Sequence, residues 1–154
     1  MKYIESPKTY SRIKAELMRE GKTLFLAGGI TGCPDWQWRV KVALHNVNVV
    51  IFNPRRKDFP INDPAAAQTQ IEWEYNHLRK AFMILFWFPS ETLCPIVLYE
   101  LGTWSMTDKK IFVGIHPEYK RRQDVEIQTR LVRWEVKIVY DLGSLSEQII
   151  SECR

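Results

Sequence analysis

The 154-residue chain has no long apolar run: the longest, Ala81 to Pro89, falls far short of the roughly 20 residues a membrane-spanning helix requires. Its first residues, MKYIESPK, lack the hydrophobic core of a signal peptide. Cysteine is scarce. Cys33, Cys94 and Cys153 show no CxxC spacing and leave one over, which argues against a disulfide framework and a zinc site. They suit a reducing compartment, so a cytoplasmic location is expected. Seven glycines and eight prolines are ordinary counts and no heptad persists, so collagen-like, low-complexity and coiled-coil readings fail.

What is present fits one compact domain spanning residues 1–154. Hydrophobic residues make up 45% and aromatics 12%, enough surface to bury that disorder is excluded. The net charge is +4, with a pI of about 9.0, which favours anionic partners. Basic residues cluster at Arg55-Arg56-Lys57 and Lys120-Arg121-Arg122 without forming a stripe. No groove-reading motif accompanies them, so nucleic acid is not the expected ligand.

Short apolar runs alternate with helical stretches. Ser6-Pro7 reads as the N-cap and first residue of a helix over about 6–20, closed by Gly21. Strands are expected at Thr23–Ala27, Val49–Phe52, Phe82–Phe88, Ile111–Ile115 and Val136–Tyr140. Helices are expected from Asp35 to about Asn46, Gln68 to Lys80 with Ile71, Tyr75 and Leu78 on one side, Pro95 to about Met106, Asp124 to Arg133, and Leu145 to Ile150. The stretch Arg55 to Ala67 reads as a long loop. Continuous apolar strands with helices between them imply an α/β fold: a doubly wound, five-stranded parallel sheet with helices on both faces. Ligands of such sheets bind beyond the carboxyl ends of the strands. That selects Gly28-Gly29, Asn53 to Arg56, Pro89 to Cys94 and His116 to Gln123 as the rim of a site.

Several rim residues have the right chemistry. Gly28-Gly29-Ile30-Thr31-Gly32 follows the first of these strands, where glycine lets backbone amides approach a phosphate or sugar; a plain tight turn is the alternative. The spacing is not GxGxxG, so no dinucleotide cofactor is implied. Glu100 is the lone acid of an otherwise apolar helix, about one and a half turns from its start. A carboxylate there is costly unless paired or used, or else it marks a wet edge or an arginine's partner. Glu74 and His77 share a helical face, and Glu74 with Glu100 would make the two-carboxylate pair of glycoside chemistry. Glu72 lies on another face and reads as solvated surface. Glu74 and His77 lack an evident third ligand, so no metal is expected. Trp36 is the best of the tryptophans to stack on a flat heterocycle, and Arg55 and Arg56 either bind phosphate or form a charged loop.

Taken together, FLAGGITGCPDWQ, FNPRRKDFP, QIEWEYNHL, ILFWFP, PIVLYELG and HPEYKRRQDVEI, in that order over roughly Leu24 to Glu126, resemble the nucleoside 2-deoxyribosyltransferase-like family. The resemblance implies a flavodoxin-like fold and cleavage of an N-glycosidic bond through a covalent glycosyl-glutamate. By the same resemblance Glu100 is the nucleophile and Glu74 the acid that orients the base. Gly28 and Gly29 contact sugar or base, Trp36 forms an aromatic wall, and Asn53 and Arg55 line the mouth. A neighbouring subunit's Gly-Asn-Val segment often completes the pocket in relatives. Here it reads Gln123-Asp124-Val125, placing Asp124 at the sugar and implying a homo-oligomer, a dimer or higher. Where relatives often carry Ala-Asp before the central strand, this chain has Ala81-Phe82, so an acid near the site is absent. Expected partners are a nucleoside or nucleotide and a free nucleobase, with no cofactor and no membrane. The alternatives are a nucleoside 5′-monophosphate N-glycosidase and a non-catalytic nucleotide-binding or sensing module.

Overall fold

In the computed structural model, which describes residues 1–8 and 22–154, four of the expected apolar runs form adjacent strands. They are β2 (Thr23–Gly28), β3 (Val50–Asn53), β4 (Met83–Phe88) and β5 (Lys110–Ile115), and every pairing is parallel. A fifth strand, β1 (Lys2–Glu5), pairs with β3, giving the sheet order β1-β3-β2-β4-β5. β2, β3 and β4 are buried at every position, as expected of strands covered on both faces.

Alternation along the strands divides the core in two. Phe25, Ile84 and Phe86 point towards α2 (Pro64–Lys80), α3 (Pro95–Ser105) and α4 (Arg122–Val132). Leu24, Leu26 and Leu85 point towards α1 (Trp36–Ala43) and α5 (Leu142–Glu152). The fold is thus α/β, doubly wound and flavodoxin-like. From β2 the chain moves out to β3, then crosses back to β4 on the other side of β2. The carboxyl ends of β2 and β4 therefore flank the topological switch point, where open parallel sheets leave a crevice.

Several expectations change. The fifth strand is β1, not Val136–Tyr140. β1 escapes an apolar-run criterion because, at the sheet edge, only Ile4 is buried. Val139 makes a single bridge to Gly114. The Lys137 carbonyl accepts from Gln148 Nε2 at 2.9 Å, so it is turned to α5 instead of the β5 edge. Ser6 and Pro7 form a turn after β1, closed by Lys8 N donating to the Glu5 carbonyl, and residues 9–20 of the expected helix lie outside the described residues. The long loop is shorter than expected because α2 begins at Pro64, with the Asp63 side chain capping the Ala65 N–H. Along α2, Ile71 and Tyr75 are exposed, and the buried face carries Trp73, His77 and Leu78. The Trp73 and His77 rings, one turn apart, stack at 3.8 Å and occupy the space beneath the helix. Asp35 caps α1 as expected, accepting from Trp38 N at 3.0 Å.

Candidate active site

A cleft of about 260 Å³ opens beyond the carboxyl ends of β2 and β4. Its floor is Gly28 to Thr31, one wall is the start of α3, and Glu74 enters from α2. The loop after β4 sets where α3 begins. Cys94 takes a left-handed conformation (φ 49°), and the Leu93 carbonyl accepts from the Tyr119 hydroxyl at 2.8 Å. Pro95 then supplies the first helical residue, and the helical repeat turns Ile96, Val97 and Glu100 into the cleft.

Glu74 and Glu100, singled out from sequence, line this cleft together. Burial raises both carboxyls above the ordinary range. Glu100 is pushed up to about 8 by burial first and by the facing charge of Glu74 second. A donor from Gln70 partly offsets the effect at Glu74. Because each carboxyl feels the other's charge, the two titrate as a coupled pair. None of the described residues lining the cleft is cationic.

Gly28 and Gly29 are at the cleft as expected, and their lack of a side chain has a concrete cause. A Cβ on Gly28 would lie 2.4 Å from Trp36 Cζ2 and 2.7 Å from the Trp87 carbonyl oxygen. Trp36 is therefore underneath the loop and does not line the cleft. It is 3% exposed, packs in the core on the α1 side, and donates from Nε1 to the Gly29 carbonyl at 2.8 Å. The expected aromatic wall is corrected to a buttress.

Asn53 and Arg55 are corrected likewise. Asn53 is buried and its Oδ1 accepts from Arg55 N at 3.0 Å. The Arg55 guanidinium is committed to protein. Nη2 donates to the carbonyls of Ile30, Cys33 and Pro34, and Nε to Gln37 Oε1 at 2.9 Å. Asp35 lies 3.8 Å from Nε. Arg55 thus ties down the loop that floors the cleft and does not itself line it. Arg55→Ala leaves three backbone acceptors without this donor, so unfolding free energy should fall by about 2 kcal/mol. Ligand affinity at the cleft should fall with it. Thermal unfolding together with titration calorimetry checks this, and an unchanged melting temperature with unchanged affinity would refute it. Arg56 instead covers the Phe59 ring at 5.4 Å.

Asp124 does not join the carboxylate pair within one chain. It stands in the first turn of α4, 3.5 Å from Arg121, and lines a separate cleft of about 340 Å³ between α3 and α4. Phe82 precedes β4 at the amino end of the sheet, opposite the cleft. An acid at that position would not have been near the site, contrary to expectation. Glu72 is exposed, bonding Gln68, and His77 is buried beneath α2. Among the described residues no group of three or more His, Cys, Asp or Glu could hold a metal. No helix among them is long and apolar enough to cross a membrane.

Thr31 in the glycine loop and Thr92 and Cys94 on the expected rim all line the cleft, but the sequence pointed to no individual role for them, nor for Gln70. Gln70 Nε2 donates to Glu74 Oε1 at 2.7 Å. Its spacing four residues before Glu74 on one helix was the available clue.

A family model described as nucleoside 2-deoxyribosyltransferase like matches residues 21–119, well over half of the chain. The match runs from just before β2 to just beyond β5, so it includes Gly28, Glu74 and Glu100 and stops short of Asp124. No curated protein matches the chain.

Proposed function

The chain belongs to the nucleoside 2-deoxyribosyltransferase-like family, a family of nucleoside glycosyl transfer, and from that premise we propose that it cleaves and re-forms the N-glycosidic bond of nucleosides through Glu100. The observation that carries the proposal is the pair Glu74 and Glu100, two largely buried carboxyls lining one cleft at the switch point of the sheet. In the resting pair Glu100 holds the proton; positive charge developing at C1′ of a bound nucleoside favours the reacting form, with Glu100 ionised and the proton on Glu74. A Glu100 oxygen attacks C1′ as the bond to the base breaks, and Glu74 gives its proton to the departing base. The negative carboxylate stabilises the oxocarbenium-like state. An incoming base, or water, then attacks the opposite face of the glycosyl-enzyme and returns a proton to Glu74. Two inversions leave C1′ with its original configuration.

Nucleosides fit this cleft better than their 5′-phosphates, since Arg55 is engaged and the cleft's described charges are carboxylates. Completion of the pocket by Asp124 of a second copy remains part of the proposal. Ile96 and Tyr99, beside the cleft on α3, are 64% and 75% exposed, as a helix face that meets another copy would be.

The test incubates the protein with a panel of nucleosides and 5′-monophosphates, with and without a second free base, and follows the products by chromatography. A new nucleoside is the expected result. Free base and sugar alone would make the protein a hydrolase, and tight binding without turnover would make it a sensor. The pH dependence has a definite shape. kcat/KM should rise on an acid limb set above the usual carboxylate range and fall on a basic limb near pH 8, where the last shared proton leaves the pair. A profile flat from pH 6 to 9 would remove the shared proton from the mechanism.

A further inference from the structure

We propose that Gln70 is a positioning residue for Glu74: it holds one carboxyl oxygen so that the proton offered to a departing base sits on the other. The inference rests on the function proposed above, in which Glu74 is the acid. Its geometry stands by itself. The Pro54 carbonyl can only accept a hydrogen bond, so the Gln70 atom 2.8 Å from it is the amide nitrogen. That fixes the amide orientation, and the other end agrees: Ser6 Oγ donates to Gln70 Oε1 at 2.6 Å. The two hydrogens of Nε2 are then both used, one on Pro54 O and one on Glu74 Oε1 at 2.7 Å.

Consequences for Glu74 follow from this arrangement. Oε1 receives a donor whether or not the carboxyl is protonated, so any proton resides on Oε2. A donor also bonds more strongly to a carboxylate than to a neutral acid. Gln70 therefore lowers the Glu74 pKa against the effect of burial and stabilises the ion that remains once the base has taken the proton. The ionisable groups sharing the cleft are Glu100, on the facing helix, and the Cys94 thiol, which burial pushes up to about 12. The chain of bonds begins at Ser6, which is 5% exposed just after β1. The edge strand missed by the apolar pattern is thereby tied to the chemistry.

Leaving groups separate this role from a merely structural one. A purine 2′-deoxynucleoside must gain a proton as its base departs. Its N7-methyl derivative already carries the positive charge and releases a neutral base without one. Gln70→Met keeps the length and removes the bonds. It should lower kcat/KM about 100-fold on the first substrate and about threefold on the second. Ser6→Ala, which leaves Gln70 in place, should show the same selectivity with a loss of several-fold. Equal losses on both substrates would overturn the proposal. A second readout needs no turnover: carbon-13 NMR of glutamate-labelled protein, with the Glu74 carboxyl assigned by its disappearance in Glu74→Gln. Its titration midpoint should move to higher pH in Gln70→Met, and an unmoved midpoint would also overturn the proposal. A wild-type protein that turns over neither nucleoside tells against the function proposed above. It does not bear on the hydrogen bond, which the titration then decides.

Discussion

Replacing Glu100 with glutamine should reduce cleavage and transfer by on the order of 1,000-fold or more, because the other carboxyl lining the cleft, Glu74, serves the departing base and leaves C1′ without a nucleophile. The same substitution should stabilise the protein at alkaline pH. Folded Glu100 keeps its proton to about 8, against an unperturbed value of 4.5. Between those two pH values the folded state binds more protons than the unfolded state, so stability falls as pH rises. Glu74, also raised, contributes with the same sign. Wild-type melting temperature should therefore fall relative to that of Glu100→Gln as pH rises from about 4.5 to 8, with the variant the more stable at pH 8. Scanning fluorimetry across that range alongside the product assay checks both halves. An inactive variant with the wild-type pH profile would mean that Glu100 is solvated when folded. An active variant would remove it as the nucleophile.

Gly28→Ala has the next largest expected effect, and it acts on the fold. The new methyl would need space held by the Trp36 indole and by the Trp87 backbone carbonyl of the neighbouring strand. Neither yields easily, since one is buried under α1 and the other belongs to the β2–β4 pairing. Overpacking of this kind costs about 3 kcal/mol, or roughly 10 °C in melting temperature for a chain of this size. Affinity at the cleft should fall as well, because the loop that floors it must shift. Gly102→Ala is the control. A Cβ there meets nothing within 4 Å, and alanine in place of a helical glycine should add about 0.5–1 kcal/mol. If Gly28→Ala melts at the wild-type temperature, the contact between loop and indole does not limit this position.

Four of the five strands and the carboxylate pair were legible because each has a local cause. A run such as Met83–Phe88, apolar at every position, is compatible with little besides a strand buried on both faces. An acid such as Glu100 in an apolar helix is conspicuous wherever the helix packs. β1 was not legible, because an edge strand buries one side chain and its identity depends on the partner it finds in β3. Val136–Tyr140 has the composition of a strand, but the Gln148 side chain takes a carbonyl that a ladder would have used.

The sequence by itself determined the fold class, the end of the sheet where the crevice opens and two of the carboxyls that line it, since periodicity and apolar context are properties of neighbouring residues. Only the tertiary structure decided what the polar and aromatic residues between them do. Trp36 and Arg55 have the chemistry of ligand contacts, yet one supports the glycine loop from below and the other ties it down by its carbonyls. Gln70 is an unremarkable residue on a helix until Pro54 and Ser6, from distant parts of the chain, fix which way its amide faces. The physical reason is the same in each case. A hydrogen-bonding or aromatic side chain takes its role from partners that folding brings to it, and those partners are not its neighbours in sequence.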